Sequence, residues 1–104
     1  MKIELLYFSG CPTYKKAEGI LSEAMRELGI DEPIERINVQ SEQEAKERKF
    51  LGSPTIRING LDVDESVRGI TDYAFECRLY QTREGLLGWP SKEMVIKALK
   101  EAKQ

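Results

Sequence analysis

The chain has 104 residues, 40% apolar and 33% charged, with a formal net charge of −2, no histidine and two cysteines. That is one small domain with a single core, neither disordered nor carrying the basic patch expected of a general nucleic-acid binder. Without histidine, a cysteine–histidine dyad and a histidine zinc site are excluded, and two cysteines are too few for a closed four-thiolate zinc site or a disulfide scaffold.

Met1-Lys2-Ile3-Glu4 leads straight into a strand and lacks the apolar region and cleavage site of a signal peptide. No apolar stretch approaches the ~20 residues of a membrane span. The expectation is a cytoplasmic chain with no membrane partner and no cofactor.

Ile3 to Phe8 reads as a buried strand, and Ser9-Gly10 as the turn that leaves it. Cys11 follows at once, and Pro12 fits the first turn of a helix, where its missing N–H costs nothing. Cys11 is thereby expected between a strand end and a helix N-terminus. Unpaired N–H groups and the helix dipole there favour a thiolate and lower the thiol pKa. Ala17, Ile20, Leu21, Ala24, Met25 and Leu28 form the apolar stripe of that helix, and Gly29 takes the C-cap position.

Ile34 to Val39 is a second, less central strand. Ser41-Glu42-Gln43-Glu44 is a capping box, opening a short helix to about Lys49 anchored by Ala45, Phe50 and Leu51. Thr55 to Ile58 is a third strand, and Asn59-Gly60 signals a hairpin to Leu61-Asp62-Val63. Asp64 to Ser66 and Arg68-Gly69 read as loop. Tyr73, Phe75, Cys77 and Leu79 alternate with Ala74, Glu76, Arg78 and Tyr80, as in an extended segment, before a turn at Arg83-Glu84-Gly85. Ser91 caps a last helix with Val95, Ala98, Leu99 and Ala102 on one face. The whole chain, 1–104, is then one α/β domain. Its mixed four-stranded sheet has two parallel βα units and an antiparallel hairpin, flanked by three helices.

This order, with Cys11-Pro12-Thr13-Tyr14 after strand one and Ser53-Pro54-Thr55 before strand three, resembles the thioredoxin-like fold. Gly10-Cys11-Pro12, Gly52-Ser53-Pro54-Thr55 and Cys77-Arg78-Leu79-Tyr80 together resemble small prokaryotic thioredoxin-like proteins, for which membership supplies a fold rather than an activity. The resemblance implies a cis bond before Pro54, facing the reactive cysteine. Pro12, Tyr14, Ser53, Pro54 and Thr55 become candidate substrate contacts. Tyr14 stands where the family's C-x-x-C has its second cysteine, so no disulfide forms within the motif.

Each candidate also has a plain structural reading. Cys11 is a nucleophile or an inert relic, and Cys77 a resolving thiol or a small buried hydrophobe. Tyr14 donates to a sulfur or packs as a half-buried aromatic. Arg78 lowers a thiol pKa or is solvated, and Trp89 packs. The leading expectation is thiol–disulfide exchange with a protein or small-molecule thiol or disulfide. In it Cys11 attacks, and Cys77 or an external thiol resolves. The rivals are binding of a thiophilic ion such as mercury(II) or copper(I), and a non-catalytic interaction module.

Overall fold

The computed structural model describes residues 1–103. Its elements are β1 (Ile3–Tyr7), α1 (Tyr14–Glu27), β2 (Ile34–Asn38), α2 (Glu42–Glu47), β3 (Thr55–Ile58), β4 (Leu61–Asp62), a 3-10 turn (Glu65–Val67), β5 (Tyr80–Thr82), β6 (Gly85–Leu87) and α3 (Lys92–Lys103). Four strands make one mixed sheet in the order β2-β1-β3-β4, and β5 and β6 form a separate two-stranded ribbon.

β1 is central and sends apolar side chains to both faces, with Glu4 on the face of Leu6. Ile3 and Leu5 join α1, α3, Ile56 and Ile58 in the larger core. Leu6 points to the other face, where Val39, Ala45 and Phe50 close a smaller core under α2. The odd–even alternation of a strand thus divides the apolar side chains between two helical layers. β2 lies at an edge, with only Ile34 and Ile37 half-buried, as its mixed pattern suggests.

The two βα units, β1-α1 and β2-α2, lie on parallel strands and lead to the antiparallel hairpin β3-β4, as expected. One feature is corrected: the second connection is not a parallel crossover, because β3 runs antiparallel to β1. α2 has six residues, about 9 Å of helix, against about 17 Å for a five-residue strand. It is too short to carry the chain back along the sheet, and β3 starts from the end at which β2 finished.

Local signals explain most boundaries. Ser41 Oγ accepts from the Glu44 N–H at 3.1 Å, while the Glu44 carboxylate accepts from the N–H of Gln40 rather than that of Ser41. Asn59 and Gly60 both have positive φ, 52° and 83°, as the two-residue hairpin requires. Ser91 caps α3 through the Met94 N–H. α1 begins at Tyr14, with Thr13 as N-cap, so Pro12 lies in the turn before the helix and not in its first turn.

The segment expected to be extended from Tyr73 to Tyr80 forms no strand before Tyr80, apart from a single bridge between Ser53 and Cys77. Arg78 is buried instead of solvated. Its guanidinium makes a two-pronged pair with Asp62, at 2.8 and 3.2 Å, and donates to Thr55 Oγ1 at 3.1 Å. It also lies 4.0 Å over the ring of Tyr80, whose hydroxyl donates to the Pro54 carbonyl at 2.5 Å.

Removing one member of this buried pair leaves the other charge unmatched. Asp62→Ala is expected to destabilise the fold by about 3–5 kcal/mol, read by urea unfolding. Replacing both, with Asp62→Leu and Arg78→Met, should recover most of that loss; a double variant as unstable as the single one contradicts the account.

Candidate functional site

Cys11 is placed by the end of β1. The turn Phe8–Cys11 closes through the Cys11 N–H to the Phe8 carbonyl at 3.0 Å, and the chain then enters α1. The residue is 4% exposed, although its sulfur lies shallow beneath the surface. Thr13 Oγ1 is 3.4 Å from Sγ. The Ser53 hydroxyl and the backbone N–H groups of Thr13 and Tyr14 also reach the sulfur.

The hydroxyl of Ser53 has its proton free for this contact. Its oxygen accepts from the Phe8 N–H at 3.4 Å, leaving the hydroxyl proton to donate to the sulfur. Burial by itself pushes the Cys11 thiol up. The donors from Ser53, Thr13 and Tyr14 outweigh it and hold the thiol below its ordinary value. The effect arises at the helix start, through the N–H groups of the N-cap Thr13 and of Tyr14 together with the Ser53 and Thr13 hydroxyls.

Cys77 comes to the same place from the far side of the chain. The peptide bond Ser53-Pro54 is cis. The N–H of Ser53 donates to the Glu76 carbonyl at 2.8 Å, and the Ser53 carbonyl accepts from the Arg78 N–H at 3.0 Å. Ser53 and Cys77 are thus bridged in parallel. Cys77 is exposed, and its bridge to Ser53 brings it near enough for the Cys11 thiol to act on its ionisation. Slight burial, the neighbouring Cys11 sulfur and Glu76 all push the Cys77 thiol up. Two adjacent sulfurs therefore shift in opposite directions.

Gly52 permits this docking. A Cβ there would meet the Arg78 Cβ at 2.7 Å and the Glu76 carbonyl at 3.1 Å, and its φ is +121°. Phe75 covers Phe8 with ring centroids 5.1 Å apart, adding an apolar contact beside the turn.

Of the residues singled out from sequence, Cys11, Ser53 and Cys77 converge. Pro54 is buried, and its carbonyl is taken by Tyr80. Thr55 is fully buried; its hydroxyl donates to the Gly52 carbonyl and accepts from Arg78, with no bond to the sulfur. Pro12 is exposed in the turn. Tyr14 stacks on Tyr7 at 4.4 Å and is half-buried, and it is its backbone N–H that faces Cys11. Trp89 packs against the larger core under the Lys16 ammonium.

Three contributors carried no role in the sequence reading: the Thr13 hydroxyl, Gly52 as the point of close approach, and Asp62 as the partner of Arg78. Thr13 was legible in principle, as a hydroxyl two residues past a cysteine at a helix start. Asp62 and Gly52 depend on tertiary docking. Among the described residues no group of three or more His, Cys, Asp or Glu side chains converges as a metal site, and no helix is long and apolar enough to cross a membrane.

Comparison with known protein families, characterised proteins and solved structures finds no match for this chain.

Ser53→Ala removes one donor from Cys11 and adds no charge. Its Cys11 should titrate higher and react with iodoacetamide several-fold more slowly at pH 7 than the wild type. An unchanged pH profile of alkylation would remove Ser53 from the site.

Proposed function

We propose that the protein exchanges thiols and disulfides through a reversible bridge between Cys11 and Cys77. The observation that carries this reading is the pairing of an ionisable, donor-surrounded sulfur with a second, exposed sulfur held beside it. A thiolate, not a thiol, attacks a disulfide, and exchange rates depend on the thiolate fraction and on the pKa of the leaving sulfur. Cys11 supplies the stabilised thiolate. Cys77 supplies the second sulfur that the motif lacks at Tyr14.

The thioredoxin-like resemblance of Cys11-Pro12-Thr13-Tyr14 and Ser53-Pro54-Thr55 supports the same reading. In the present chain a cis Ser53-Pro54 bond precedes β3, and a cysteine lies between β1 and α1. Carriage of a thiophilic ion, the other chemistry open to two thiolates, requires no bridge and gives a different result in the same measurement.

Intact-mass analysis after incubation with glutathione disulfide tests the proposal. The wild type is expected to lose two hydrogens, with Cys11 and Cys77 joined in one cross-linked peptide. Cys11→Ser and Cys77→Ser should each stop instead at a single glutathione adduct. A wild type that never forms the internal bridge refutes the exchange reading.

A further inference from the structure

The two sulfurs are not equivalent in access. Cys11 is 4% exposed and is contacted by the Ser53 and Thr13 hydroxyls and by N–H groups at the start of α1. Cys77 is exposed, on a segment whose neighbours on both sides are hydrogen-bonded to Ser53. That segment is further fixed by the buried Arg78–Asp62 pair. Its backbone does not swing away without breaking those bonds, so Cys77 remains the outward sulfur of the pair.

Displacement at a disulfide proceeds in line: the incoming sulfur, the attacked sulfur and the leaving sulfur share one axis. Attack on Cys11 with Cys77 leaving has to reach the sulfur of a residue that is almost wholly covered, with the Thr13 hydroxyl 3.4 Å from it. Attack on Cys77 with Cys11 leaving comes from the solvent side. We infer that Cys77, not Cys11, carries the mixed disulfide with the outside partner, and that Cys11 is the internal sulfur that leaves and returns.

The inference rests on the exchange reading and reverses the order of attack expected from sequence. An external thiolate RS⁻ attacks Cys77 Sγ, forming Cys77–S–S–R while the Cys11–Cys77 bond breaks and Cys11 takes the electron pair as a thiolate. In the reverse direction the Cys11 thiolate attacks Cys77 Sγ and expels RS⁻. Leaving-group quality favours the same order, since a sulfur of lower pKa leaves faster and the Cys11 thiol lies below its ordinary value while that of Cys77 lies above.

The test uses the wild-type chain oxidised to its internal bridge and then exposed briefly to glutathione. Acid quenching and peptide mapping locate the tripeptide. Glutathione is expected on Cys77, about tenfold or more over Cys11, with Cys11 as the free thiol captured by N-ethylmaleimide. A bridge that opens with glutathione mainly on Cys11 overturns the inference and leaves the exchange reading intact. Failure to form the bridge at all sinks both. In Cys11→Ser the Cys77 adduct, formed directly at alkaline pH, should persist; in the wild type it should be expelled to regenerate the bridge. Equal lifetimes of the two adducts also overturn the inference.

Discussion

The docking of Glu76–Arg78 on Ser53 is the constraint on which the rest of the site depends. Ser53 uses both its N–H and its carbonyl on this one segment, at 2.8 and 3.0 Å. Two hydrogen bonds of net worth about 1 kcal/mol each do not by themselves order a long irregular loop. The Arg78–Asp62 pair, the Tyr80 hydroxyl on Pro54 and the close approach over Gly52 make the arrangement specific. A buried ion pair is weak evidence for stability taken alone, because desolvation offsets the attraction. Here the pair ties the segment to β4, so its geometric consequence is the position of Cys77.

The same docking decides what remains open around Cys11. The backbone N–H and carbonyl of Ser53 are already satisfied by the chain itself. The Thr55 side chain is turned to Gly52 and Arg78. What reaches Cys11 is a small set of donors, from Ser53, Thr13 and Tyr14, in a shallow and almost covered position. Burial alone would make this sulfur an inert small hydrophobe. Aimed donors make it the more easily ionised of the pair.

The regular elements were legible because each carries its own local signal. The stripe of α1, the capping box at Ser41, the Asn59-Gly60 turn and the Ser91 cap act over a few residues, and they survive in the structure with shifts of one or two positions. The sense of β3 was not, since it depends on how far α2 carries the chain. The stretch from Tyr73 to Tyr80 was read as alternating, and burial alternates only over its last four residues. Hydrophobicity favours burial of the face with Phe75, Cys77 and Leu79, one of the two readings open for Cys77, yet Arg78 and Tyr80 are the buried members while Cys77 and Leu79 face solvent. An arginine enters the interior only when a matched carboxylate awaits it. Asp62, sixteen residues earlier, gives no sign of that in one dimension. Cys11 was recognisable from its position after β1, whereas the contribution of Thr13 required knowing where the sulfur points.

On the exchange reading, the absence of histidine from the chain bears on how two thiols would react at neutral pH without a general base. On the proposed order, the first step needs no proton transfer by the protein. The incoming partner arrives as a thiolate, and the sulfur that departs is the one whose charge is already stabilised by hydroxyl and N–H donors. Cys77, with its raised pKa, does not need to compete for that charge: it is the sulfur through which the exchange passes, bonded either to Cys11 or to the partner. On the same reading, unequal environments for two like groups would take over a task that a cysteine–histidine pair performs by moving a proton. On that reading the two sulfurs must be differently solvated, and the segment docked over Ser53 keeps Cys77 exposed while Cys11 is covered.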